Sequence, residues 1–356
     1  IISTVLIWLC LVKIVNFQSR KVATIVFSIL ISMAGLWYAF QKINITEFWS
    51  HLSSVNYSLL LFAMGLMIFS VLVRAYRWKL ILKPFENFRI DPLFESTMIG
   101  YFGNSVLPFR MGEVLRGYSL SKVSPLTFSV TLGTIILERI LDMLGLILLI
   151  GIFTVALLSI GDPKLISLIP AWMMRSIFIA VLSTVVLFIL ILIFGRDLLT
   201  YFNGIQQDRN GRKSLLFKRV VGMLIDLLDG ITSIKNSNHS FQIALQTIYL
   251  WVIYYACTYL IAQAVHINIG WIEIGIVLTA TTLSITVPAA PGYIGTYHAA
   301  IVYLGTTFFA ISRPEAQAFA VIIHASGYLP FVILGAYYFI KSSIHISDIK
   351  DKNLVL

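Results

Sequence analysis

The chain has 356 residues, of which 58% are hydrophobic and 12% charged, and its formal net charge is +10. A soluble domain carries about 25% charged residues. A soluble enzyme or binding module is therefore excluded, and an all-α polytopic membrane protein is expected. The positive balance follows from membrane topology, set out below, and does not call for a nucleic-acid partner.

Residues 1–20 form a hydrophobic segment. The chain begins at Ile1 rather than Met, so this segment is expected to be truncated. It lacks a basic start followed by a small-residue cleavage site, which favours an extra N-terminal helix over a signal peptide. The transmembrane domain is expected over residues 21–345. A spanning helix needs about 20 apolar residues. Six runs meet that need: Val22–Phe40, Tyr57–Leu82, Leu126–Ile160, Ile177–Gly195, Phe241–His266 and Ala316–Ile340. The run Leu126–Ile160 has 35 residues. As a helix it would reach about 52 Å, more than the bilayer core, so it tilts or protrudes.

Two further stretches are broken. Pro92–Lys122 is interrupted at Pro108, and Glu273–Ile311 by Pro288-Ala289-Ala290-Pro291-Gly292. Halves shorter than a span, with Pro and Gly between them, predict two re-entrant helical hairpins; kinked full spans are the alternative. The one sizeable loop carries a segment, residues 205–236, that is basic at Arg209-Asn210-Gly211-Arg212-Lys213. Leu215–Ile234 then repeats apolar Val220, Val221, Leu224, Leu227, Leu228 and Ile231 at helical spacing. It reads as an amphipathic helix along the inner leaflet, or as a plain basic loop. Residues 346–356 make a short tail.

Lysine and arginine fix the orientation. With both broken stretches returning to their own side, the inner segments hold 21 Lys/Arg and the outer ones 4. The large loop and the C-terminus are then cytoplasmic. The first hairpin enters from the cytoplasmic side and the second from the outer side. Oppositely oriented broken elements suggest an inverted repeat, although no strong sequence repeat accompanies them. The two cysteines, Cys10 and Cys257, and the six histidines show no metal-ligand spacing, so neither a metal site nor a disulfide framework is expected.

Ionisable groups inside apolar runs mark pairs, wet cavities or polar substrates. Behind Asn104 and Pro108, Arg110, Glu113 and Arg116 fall three apart on one face of a half-helix. A guanidinium stays charged when desolvated and grips phosphate with a planar fork. Glu113 can neutralise an arginine in the empty site, and the helix N-terminus adds donors for an anion. Arginines that merely reach the inner interface are the plain alternative. Glu138, Arg139 and Asp142 lie 22 or more residues beyond Arg116. Glu138 and Asp142 share a face and can pair with Arg110 or Arg116, carry a proton or hold a cationic head group. Arg139 and Asp142 are expected to be structural, Glu113 and Glu138 functional. Arg74 and Arg77 close a span on the inner side and read as interfacial anchors with a secondary claim on substrate. In the second break, Pro288, Pro291, Gly292 and Gly295 free backbone groups that must line a cavity or be buried. His298 follows, either a group that titrates near neutral pH or a packed neutral ring.

These residues resemble the lysylphosphatidylglycerol synthase transmembrane region family, also described as flippase-like membrane proteins. Its Arg-x-x-Arg-Trp pattern corresponds to Arg74, Arg77 and Trp78. Its Asn-x-x-x-Pro-x-Arg-x-Gly-Glu-x-x-Arg string corresponds to Asn104, Pro108, Arg110, Gly112, Glu113 and Arg116. Its Glu-Arg-x-x-Asp corresponds to Glu138, Arg139 and Asp142, and its Pro-x-x-Pro-Gly-x-x-Gly to Pro288, Pro291, Gly292 and Gly295. The acid that follows in the family is replaced by Tyr297-His298. The resemblance implies translocation of an aminoacylated phospholipid or a polyprenyl-linked glycolipid between leaflets. Bifunctional members carry a soluble lipid-making domain; the 16 residues after Ile340 are too few for one, so the membrane half alone is expected.

The leading expectation is thus a flippase for a phosphate-bearing lipid, not an enzyme. A membrane-embedded lipid-modifying enzyme or glycosyltransferase, or a regulatory membrane subunit, is the alternative. No GxxxxGK[ST] loop occurs, so no nucleotide or other cofactor is expected. The expected partners are membrane lipids with anionic or polyprenyl-phosphate head groups, together with a second copy of the chain or a separate lipid-synthesising enzyme.

Overall fold

The computed structural model describes residues 26–107, 111–160, 215–233, 238–287 and 289–342, with single helical positions between 175 and 201. Among them there is no strand; the fold is all-helical. In chain order the helices are α1 (Val26–Phe40), α2 (Ile45–Ser53), α3 (Tyr57–Leu82), α4 (Ile90–Val106), α5 (Gly112–Lys122), α6 (Phe128–Ile160), α7 (Leu215–Thr232), α8 (Ser240–Ala264), α9 (Trp271–Thr286), α10 (Thr296–Thr307) and α11 (Arg313–Lys341).

Four of these, α3, α6, α8 and α11, are long and apolar enough to cross a membrane. The pair α1–α2 makes a fifth if its two arms form one span, but they meet at 89°. The bend has a local cause. Lys42 adopts φ 55°, and the Asn44 side chain then accepts from the Glu47 amide to start α2 afresh. The sixth expected span, Ile177–Gly195, falls mostly outside the described residues, as do residues 1–20, the tail 346–356 and the tips at Pro108 and Pro288.

Both broken stretches are pairs of short helices. α4 and α5 fold back on each other through glycine. A Cβ on Gly103 would meet Gly112 at 2.8 Å, one on Gly100 would meet the Arg116 side chain at 2.9 Å, and one on Gly112 would collide with the Gly100 carbonyl. Only hydrogen fits along this seam. α9 and α10 are joined by a 3₁₀ turn at Pro291–Tyr293. That turn packs against α4, so the second break lies against a helix of the first broken stretch.

α3 is the centre of the packing. Its C-terminal residues Ala75, Trp78, Leu80, Ile81 and Leu82 join Leu93, Leu120, Ile135, Leu137 and Ile243 in one buried cluster. Trp78 is wholly buried, and its indole donates to Thr134 at 3.0 Å. Truncating such a tryptophan costs about 3–5 kcal/mol. α6 runs unbroken for 33 residues. Its N-terminal part is packed by α3, α5 and α7, while Leu148, Ile152 and Val155 further along are exposed, as a lipid-facing stripe requires. The amphipathic segment is a helix, α7, and its apolar face meets protein. Gly230 packs directly on Gly133 of α6, and Val221, Ile225 and Ile231 are buried, leaving Leu224 exposed. α11 closes the bundle against α4, where Tyr101 stacks on Phe331 with ring centroids 4.6 Å apart.

Candidate functional site

Arg74 and Arg77 lie three apart on α3, so they point the same way. They face Glu138 and Asp142, which lie four apart on α6. The Arg74 Nη1 donates to Asp142 Oδ2 at 2.8 Å and its Nη2 to the Tyr254 hydroxyl of α8 at 3.1 Å. The Arg77 Nη1 donates to Thr247 Oγ1, also of α8, at 3.0 Å. Its Nη2 is shared between Asp142 Oδ1 at 2.7 Å and Glu138 Oε1 at 3.3 Å. Three helices are tied by these bonds. Arg77 and Glu138 have no exposed side-chain surface at all.

α5 adds Arg116, 1% exposed. Its Nη2 stands 2.6 Å from Glu138 Oε2, at an angle that does not make a hydrogen bond. The guanidinium lies flat over Trp78, 3.9 Å from the ring centroid, a cation–π contact. None of its three side-chain nitrogens has a hydrogen-bond partner among the described residues. Arg116 is thus charge-compensated yet keeps its N–H groups unspent, which is costly for a buried donor.

A looser rim lies above this base. Arg139 reaches Glu113 Oε1 at 3.3 Å and Asp142 Oδ2 at 3.4 Å; the side chains of Arg139, Glu113 and Asp142 are 33%, 22% and 18% exposed. Asn104 sets the rim from below. Its Oδ1 accepts from the Gly112 amide at 2.9 Å, and its Nδ2 donates to Glu113 Oε1 at 3.5 Å. Among the described residues, four guanidinium groups therefore meet three carboxylates, one positive charge in excess, in a site walled by apolar helices.

The structure brings together most of the charged groups singled out in the sequence and gives some of them other partners. Arg116, Glu138, Arg139 and Asp142 do converge. Arg74 and Arg77 are no interfacial anchors: they are 4% and 0% exposed and form the base of the cluster. Among the described residues Glu113 pairs with Arg139 of α6. The first amide of α5 is taken by Asn104, so this donor is not open to an anion. Burial also runs against the expected division of roles. Glu138 is locked between Arg77 and Arg116, whereas Arg139 is the most exposed arginine of the group. Thr247, Tyr254 and Thr134 were not foreseen. Hydroxyl residues are common in apolar helices, and only the tertiary contact gives them meaning. Pro108 and Arg110 lie outside the described residues.

The second break forms a separate polar site at α1, α10 and α11. Gly292 has φ 75° and Gly295 φ 100°. A Cβ on Gly295 would collide with the Ser32 carbonyl of α1, and the Gly35 position of α1 approaches the Gly295 backbone just as closely. Two of the backbone groups freed at this break are satisfied by side chains. The Ala290 amide donates to Ser32 Oγ at 2.7 Å, and the Gly292 carbonyl accepts from His324 Nε2 at 2.8 Å. His298 is buried, with its ring 4.7 Å from that of His324. Pro291 opens the 3₁₀ turn, while Pro288 lies outside the described residues. His324 escaped the sequence reading, although Arg313, Gln317, His324 and Tyr328 make a polar stripe at heptad spacing on an apolar helix, a signal that could have found it.

Among the described residues no group of three metal-ligating side chains occurs. A family model described as the lysylphosphatidylglycerol synthase TM region matches residues 25–335. The UPF0104 membrane protein MJ1078 of Methanocaldococcus jannaschii is 27% identical over 246 residues, which is 68% of this chain and 96% of that relative. No solved structure matches the chain. The family match spans the arginine–carboxylate cluster and the Pro–Gly break alike, and the chain belongs to the lysylphosphatidylglycerol synthase transmembrane region family.

Proposed function

We propose that this membrane protein carries a phosphate-bearing lipid head group across the bilayer, between leaflets, by way of the arginine–carboxylate cluster. One observation carries the reading: Arg116 is buried in a cluster whose described arginines outnumber its carboxylates, and its N–H groups have no acceptor among the described residues. A phosphate oxygen supplies both the missing charge and the missing acceptors. The rim of Arg139 with Glu113 and Asp142 is loose enough to exchange partners, so an arriving head group meets charges it can displace. The family's link to lysylphosphatidylglycerol supports a lipid as the substrate. The α4–α5 hairpin and the α9–α10 pair, both too short to span singly, serve in this reading as re-entrant gates. A separate enzyme makes the lipid, and translocation rather than synthesis is this chain's task.

Purified protein in liposomes containing fluorescent phospholipid tests this. Wild type is expected to expose inner-leaflet label to an outside quencher, Arg116→Ala to abolish that exposure, and Arg116→Lys to restore part of it. Equal rates for wild type, Arg116→Ala and empty liposomes would overturn the reading, and chemical change of the lipid would make the chain an enzyme. The orientation has its own test. Cysteines at Gly211 and Lys350 are expected to label from the cytoplasm, and one at Asp162 from outside.

A further inference from the structure

The histidine pair belongs to no part of the phosphate reading, and its surroundings define it well. His298 of α10 and His324 of α11 have ring centroids 4.7 Å apart. Phe40 of α1 lies 5.7 Å from His298, and Tyr328 stacks on His324 at 5.3 Å. Tyr297 approaches both rings, at 6.5 and 5.1 Å. Tyr297 and Tyr328 are the titratable groups against the pair among the described residues, and no ion pair to either ring occurs there. The nearest charge along the shared face of α11 is Arg313, about 16 Å away at a rise of 1.5 Å per residue. It is occupied by the Tyr38 carbonyl and ring.

The hydrogen bonds define where a proton can go. A carbonyl only accepts, so His324 carries hydrogen on Nε2 and donates it to Gly292. The basic nitrogen of neutral His324 is then Nδ1. His298 Nδ1 is buried with no hydrogen-bond partner among the described residues. Two imidazoles this close cannot both be charged, so the pair takes one proton. That proton puts an uncompensated cation into an apolar pocket, and the charged ring seeks water. Arg313 and Gln317 of α11 hold the Tyr38 and Ala39 carbonyls of α1, and α1 meets the break nearer its own N-terminus. There, Ser32 and Gly35 hold the break through one side-chain hydrogen bond and backbone packing on Gly295.

We propose that His298 and His324 form a proton-binding site whose occupation parts α1 from the Pro–Gly break. Lowering the pH through the histidine range admits water beside Ala290 and Gly295. Protons, and through them a pH gradient, thereby act on the second gate and not on the arginine cluster.

The test uses the whole chain in detergent or nanodiscs, with Cys10 and Cys257 replaced by Ala. Maleimide labelling of Ala290→Cys is compared with that of the exposed reference Ser50→Cys, which corrects for thiol ionisation. The ratio is expected to rise at least about threefold between pH 8 and pH 4, a window kept wide because the pair is buried without a counter-charge. It should stay flat in His298→Gln and in His324→Asn, the latter keeping a donor for the Gly292 carbonyl. A flat ratio in the wild-type pair, or an unchanged rise when both histidines are replaced, would overturn the proposal. Should a variant fail to fold, ¹³C-histidine NMR of the wild-type pair decides alone. Two ring signals shifting together by one shared proton support the site, and two that remain unchanged from pH 8 to 4 exclude it.

Discussion

Arg74, Arg77 and Arg116 are held by the side chains of Glu138 and Asp142, charge against charge, across three helices. His298 and His324 are held by aromatic rings and one backbone carbonyl, beside glycines in left-handed conformation. The first arrangement resists small displacement because every move separates opposite charges in a low-dielectric setting. The second rests on shape, and a single added charge upsets it. A helix bundle in lipid thus contains two kinds of buried polar island: one that fixes helices, and one that can release them.

This contrast can be broken most severely at Glu138. Glu138→Gln leaves Arg77 and Arg116 without a shared counter-charge, and losing one partner of a buried pair costs about 3–5 kcal/mol. Thermal unfolding in detergent should fall accordingly. A paired Arg77→Gln, Glu138→Gln variant should lose less than the two single changes together. At the other island the sensitive position is backbone, not charge. Gly295→Ala forces a side chain at φ 100° against Ser32, and strain of that kind costs about 1–3 kcal/mol. It should loosen α1 and raise labelling at Ala290 at every pH. Asn104→Ala should cost about 1 kcal/mol by freeing the Gly112 amide. Arg139→Gln sharpens the comparison from the mild side. Its pairs are long and a third exposed, so it should cost less than about 1 kcal/mol in stability and yet slow lipid movement markedly. Normal transport by this variant would show that the rim is not what a head group meets.

What the sequence disclosed follows from physics of different range. The apolar runs of α3, α6, α8 and α11 and the Pro-broken short helices are local signals, and the helices stand where those signals put them. Arg116, Glu138 and Asp142 stood out because charge is rare in such runs. Their partners were harder to name. Arg74 and Arg77 sit where interfacial anchors sit, and nothing local reveals that α6 and α8 cover them. The reach of Glu113 to Arg139 on another helix is a relation that no spacing within α5 displays. The seat of Gly295 against Ser32 joins positions 263 apart in the chain, beyond the reach of any spacing rule.

The seam of Gly100, Gly103 and Gly112 constrains how the molecule can open. No atom can be added along it, and no gap lies within it, so α4 and α5 travel as one rigid wedge. Under the proposed function, a route for a head group is not made by splitting that wedge. It must open where α5 leans on α6, along the line where Arg116 meets Glu138, and the wedge itself becomes the moving part.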